Sequence, residues 1–110
     1  MADTYKVLGQ VAPSATTLST LYTVPALKQT VIAKVTVCNR GAATSFRLSV
    51  AVAGAADNNI QYNFYDVAIG ANESIDVMQG VTIQPTDIIR CYATLATLTF
   101  NAFGDEQDLP

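Results

Sequence analysis

The sequence predicts an all-β chain, an antiparallel β-sandwich, jelly-roll-like, with about eight short strands. Three observations carry this. Apolar residues recur with a period of two in short runs, turn-forming residues separate the runs at spacings of about ten residues, and no helical period is sustained. The chain has 110 residues, half of them apolar, which suits one compact domain with a real core. Ala is frequent, but it lies among β-branched residues, and the period outweighs its helical propensity.

Taken in order, Thr4 to Leu8 reads as a short strand and Gly9 to Thr17 as a loop or an extended arm. Leu18 to Val24 alternates and ends at Pro25, which fixes φ and lacks a ladder donor. Thr30 to Gly54 is the clearest stretch. Val31, Ala33, Val35 and Val37 share one face, as do Phe46, Leu48, Val50 and Val52. The turn-rich segment Asn39–Ser45 lies between them, so the two runs predict a long central hairpin. Gly54–Asn59 is a turn signal. In the next strand, Ile60 to Val67, Ile60, Tyr62 and Phe64 fall on one side. Tyr65 falls on the other, more polar side, towards a neighbouring subunit. Ser74–Met78, Val81–Ile83, Ile88–Ala93 and Thr97–Phe103 complete the set. Residues 1–17 thus form an N-terminal strand or arm, residues 18–104 the sandwich, and residues 105–110 a mobile acidic tail.

Only 14% of residues are charged, against roughly 25% in ordinary soluble domains. Such a chain has either an unusually neutral exterior or surface buried against partners. The formal net charge is −3, and Asp105, Glu106 and Asp108 account for it, leaving the body neutral. The bases Lys6, Lys28, Lys34, Arg40, Arg47 and Arg90 form no run, which argues against nucleic acid as a partner. The start of the chain lacks the layout of a signal peptide, no apolar run is long enough for a membrane span, and Asn72-Glu73-Ser74 reads as a turn rather than a glycosylation site.

The chemistry offered is sparse. There is no His, so Ser-His-Asp and Cys-His arrangements are out of reach. The two cysteines, Cys38 and Cys91, are too few for a structural zinc site. They read as unpaired strand residues, with a bridge between neighbouring strands left open. Asp66 and Asp76 are the carboxylates to consider for acid–base work, and both also read as ordinary strand residues. Asp57-Asn58-Asn59 offers oxygen ligands of the kind calcium uses, in a segment that equally reads as a turn. No catalytic residue, metal or cofactor is assigned. Arg40, between Asn39 and Gly41, suits a contact to a carboxylate on a partner, or stands as a solvated turn charge. Asn39, Arg40, Gly41 and Tyr65 are the candidate partner-contact residues.

Five segments matter together: LYTVP (Leu21–Pro25), VCNRG (Val37–Gly41), FRLSVAVAGAAD (Phe46–Asp57), QYNFYDVAI (Gln61–Ile69) and FNAFG (Phe100–Gly104). In order and spacing they resemble a family of small β-sandwich virion proteins of tailed bacteriophages, cyanophages among them. The resemblance spans roughly residues 18–104 and implies a structural, non-enzymatic role. It points to a capsid decoration (cement) protein on the outer surface of the capsid, made in the host cytoplasm. The major capsid protein would be its partner, and a homo-oligomer, most plausibly a trimer, its state. The alternative is a tail-fibre, spike or baseplate module that binds the host surface.

Overall fold

The computed structural model describes residues 3–109. Nine strands run in chain order: β1 (Asp3–Val11), β2 (Thr17–Thr23), β3 (Lys28–Asn39), β4 (Thr44–Ala51), β5 (Tyr62–Ile69), β6 (Ser74–Val77), β7 (Val81–Ile83), β8 (Ile88–Ala93) and β9 (Leu98–Asp108). They form two antiparallel sheets. One has the order β1-β9-β3-β6, with β7 also on β3, and the other β2-β8-β4-β5. With β6 and β7 read as one edge strand broken at Met78–Gly80, this is the strand order of a jelly roll. Among the described residues no helix is long and apolar enough to cross a membrane.

The inner faces explain the alternation seen in the sequence. Val35 and Val37 of β3, Phe46 and Leu48 of β4, Ile89 and Cys91 of β8, and Leu98, Phe100 and Ala102 of β9 are all fully buried. The Phe46 and Phe100 rings meet edge to face across the sandwich, centroids 6.0 Å apart. Such a pair adds to the burial of the two rings themselves.

The predicted central hairpin is absent. β3 and β4 lie in different sheets, and the segment between them carries the chain over one end of the sandwich. Two strands packed face to face bury one apolar side each, just as two hairpin strands do, so period two does not distinguish the arrangements. The expected face of β3 also splits. Thr30, Ile32, Val35 and Val37 are buried while Ala33 is exposed. A bulge between Ile32 and Lys34 inserts one residue and reverses the phase. Opposite it stands Gly104, where a Cβ would come 2.2 Å from the Val31 carbonyl oxygen.

Both chain ends depart from expectation as well. Residues 105–108 are no mobile tail: they continue β9, with 105–107 paired to β1 on one side and 105–108 to β3 on the other. At the other end the strand expected at Thr4–Leu8 is present as β1 and runs on into the expected loop, pairing with β9 between Asp3 and Val11. Polar composition concealed the end of β9, since Asp105 and Glu106 are buried there. Glu106 accepts hydrogen bonds from the Tyr22 hydroxyl at 2.5 Å and from Lys6 Nζ at 3.0 Å. The Tyr22 hydroxyl also meets Thr30 Oγ1 at 2.8 Å. A buried charge held this way is compensated rather than stranded.

Candidate functional site

Two clusters of named residues stand out, and they differ in kind. The first is the end loop that follows β3. Asn39 is 1% exposed. Its Nδ2 donates to the carbonyls of Ala42 and Gly70 at 2.8 and 3.0 Å. Its Oδ1 accepts from the Gly41 N–H and the Thr97 hydroxyl, both at 3.0 Å. Both amide donors and the acceptor oxygen are therefore committed within the chain. Gly41 is fixed by contact: a Cβ there would lie 2.7 Å from Thr97 Cγ2. Arg40 is exposed, and its guanidinium donates to Thr99 Oγ1 at 2.9 Å and the Ala96 carbonyl at 3.2 Å. Asn39 and Gly41 thus hold the loop from inside, and Arg40 is the member of the trio that offers a surface.

Tyr65, the fourth candidate, belongs to a separate cluster on the outer face of the second sheet. Here β4 supplies Arg47, β8 supplies Tyr92 and β5 supplies Tyr62, Tyr65 and Asp66. Arg47 and Tyr92 are register partners, so their side chains leave the same face. The Arg47 guanidinium lies 4.2 Å from the Tyr65 ring centroid and 4.5 Å from that of Tyr92. It also donates to Asp66 through Nε at 2.6 Å and Nη2 at 3.4 Å. Arg suits this position because a planar guanidinium stacks on rings while its edge bonds a carboxylate. The hydrogen bond to Asp66 raises the guanidinium's already high pKa, which keeps it charged.

Tyr62 and Tyr65 meet edge to face, centroids 5.2 Å apart and planes at 88°. The Tyr62 hydroxyl donates to Asp57 Oδ2 at 3.1 Å. Partial burial, followed by that bond, raises the phenol above its usual pKa. Together with Asn59 the two rings line an open cavity of about 360 Å³. Asn58, by contrast, turns its Oδ1 to the Ile60 N–H at 3.2 Å, capping a single 3₁₀ turn. This turn delivers Asn59 to the rim and leaves Ile60 91% exposed.

Strict alternation puts Tyr62 and Tyr65 on opposite sides of a strand. The register of β5 against β4 shifts twice, between Phe46 and Leu48 and between Leu48 and Ser49. Asp66 takes φ 51°, the left-handed conformation of an inserted residue. The extra residues bring both rings to the outer face, while Phe64 and Val67 both pack against the core. Arg47, Tyr62, Tyr92 and Asn59 were therefore missed. The signal was present in Phe64 and Val67: two core residues three apart in a strand require an insertion between them.

The remaining candidates resolve simply. Cys38 and Cys91 are free thiols, and burial pushes the Cys91 thiol up to about 12. Asp66 and Asp76 sit in different sheets. Asp76 accepts from Thr36 Oγ1 at 3.0 Å and faces Lys34 Nζ at 3.6 Å. Among the described residues no group of His, Cys, Asp or Glu is arranged to hold a metal ion. The second cluster presents a ring-lined corner with the Asn59 amide at its rim and the Tyr62 hydroxyl bonded to Asp57. Comparison with protein-family models, with curated proteins and with solved structures gives no match.

Proposed function

We propose that this chain is a capsid decoration protein, which stabilises a phage head shell through protein–protein contacts. The observation that carries the reading is the outer face of the second sheet, where the Arg47 guanidinium stacks on the rings of Tyr65 and Tyr92. Tyr and Arg are the residues that interfaces concentrate at their centres. The Arg47–Asp66 ion pair holds the stack, so less side-chain freedom is lost on docking. Many identical copies on a shell would turn a modest contact into firm attachment. The partners in this reading are the major capsid protein and further copies of the chain, a trimer being the favoured assembly. The test is the location and copy number of the labelled protein on purified particles. High copy number on the head is expected, and a handful of copies confined to the tail would overturn the reading.

A second reading is favoured by one specific feature. The corner formed by Asn59, Tyr62 and Tyr65 is concave and mixes aromatic with polar groups, as small-ligand sites do. A tail-fibre, spike or baseplate module that grips the host surface would use such a corner. Location on the particle separates the two readings.

A further inference from the structure

We infer that the Asn59–Tyr62–Tyr65 corner is a binding site for one uncharged pyranose ring of a glycan. The inference deepens the host-surface reading by naming what such a module would hold. Its first support is shape. The cavity of about 360 Å³ lies within the size range of small-molecule sites. Its two rings stand at 88°, which makes a corner rather than a slot. A flat aromatic ligand is gripped best between parallel faces. A chair-shaped ring instead has an apolar C–H face to lay on one tyrosine and hydroxyls projecting from its edge.

The second support is the hydrogen-bonding inventory. Asn59 is exposed, and its amide can donate and accept at once. The Tyr62 hydroxyl donates its proton to Asp57 Oδ2, with 3.1 Å between the oxygens. This leaves the phenol oxygen and the second carboxylate oxygen to accept from ligand hydroxyls. Vicinal hydroxyls, each both donor and acceptor, match such a set.

The third support is charge. An anion would meet Asp57 while Arg47 is engaged by Asp66 at 2.6 Å. An anionic ligand is therefore opposed, and an uncharged sugar fits. The Arg47–Asp66 pair also fixes Tyr65 before the ligand arrives, which lowers the ordering cost of binding.

The chain has no Trp, so its intrinsic fluorescence comes from its five tyrosines, two of which line this corner. The test titrates the full-length protein with neutral methyl pyranosides and short neutral oligosaccharides. Matched uronic acids and a proline-rich peptide run beside them, with tyrosine emission and amide NMR shifts as readouts. At least one neutral saccharide is expected to bind more tightly than about 10 mM, the weak end of measurable affinity. Tyr65→Ala and Asn59→Ala should each weaken it by about tenfold or more, equivalent to about 1.4 kcal/mol. Tyr65→Phe should retain most of the stacking, and Tyr5→Ala on the other sheet should change nothing. If Tyr65→Ala fails to fold, Asn59→Ala and the positions of the NMR shifts decide. No binding by any neutral saccharide, preference for the uronic acids or the peptide, or shifts away from residues 57–66 would overturn the inference. Location on the particle is a separate measurement, so the site and the host-surface role fail independently.

Discussion

Tyr22 and Glu106 join the two sheets by a hydrogen bond of 2.5 Å, made inside the sandwich between β2 and β9. A phenol donating to a buried carboxylate is a charge-assisted contact, stronger than a neutral pair. Tyr22→Phe is expected to destabilise the fold by about 1.5–3 kcal/mol, the range for hydrogen bonds to charged groups. Equilibrium urea unfolding measures it. An unchanged midpoint would show that the bond contributes nothing net.

The same pair shapes the response to pH. Burial raises the Glu106 pKa, but hydrogen bonds from Tyr22 and Lys6 outweigh it and leave the carboxyl below its usual value. A depressed folded pKa gives stability that is fully present above the unfolded value of about 4.3, and that is lost as pH falls through the folded one. Burial and Glu106 push the Tyr22 phenol upward. A raised phenol gives stability present below the unfolded value of about 10 and lost as pH climbs above it. The melting temperature should therefore decline on both the acid and the alkaline side. Glu106→Gln should flatten the acid limb, and Tyr22→Phe the alkaline one. Limbs unchanged in these variants would assign them to other groups.

Thiol chemistry should separate the two cysteines. Cys91 is fully buried, and its thiol is raised to about 12, so little of the reactive thiolate exists at neutral pH. Cys38 is partly exposed. A thiol reagent should label Cys38 in the native protein and reach Cys91 only at the rate of unfolding. Equal labelling of both would contradict the packing around β8.

Gly9 and Gly104 each lie against backbone, where an added Cβ would stand 2.1 Å from the Leu21 carbonyl oxygen and 2.2 Å from that of Val31, respectively. Backbone yields less readily than a side-chain tip. Gly104→Ala and Gly9→Ala should each cost about 3 kcal/mol or more, at or beyond the upper end for overpacking. Thermal unfolding would reveal it, and a wild-type melting temperature would show that the strands adjust freely.

A chain ending at Gly104 should fail to fold. It would lack the Tyr22–Glu106 bond, the Lys28–Asp108 ion pair and four paired residues of β9. Far-UV circular dichroism of the truncated protein tests this, and a native spectrum with an ordinary melting curve would count against it.

Fold class was legible because the inner faces of β3, β4 and β9 write their alternation into the sequence. Connectivity was not, because Phe46 and Val37 face a shared core and would do so equally in one sheet or in two. The bulges at Ala33 and Asp66 hid the rest. One inserted residue reverses every later position of a strand, and this separated Tyr62 from Tyr65 on paper while the fold sets them side by side. Glu106 misled for another reason: its burial depends on partners far away in sequence, Tyr22 and Lys6.

The strand order also constrains how the protein comes into being. β1 pairs with β9, and β2 pairs with β8, so the first two strands wait for the last two. A chain emerging from the ribosome in order leaves β1 and β2 unpaired, and one edge each of β3 and β4 open, until β8 and β9 are free. Upstream only the pairings of β3 with β6 and β7 and of β4 with β5 can form before that, and the partly emerged chain is at its most adhesive until β8 and β9 arrive. Production of this protein should therefore respond more to chaperones and growth temperature than its small size suggests.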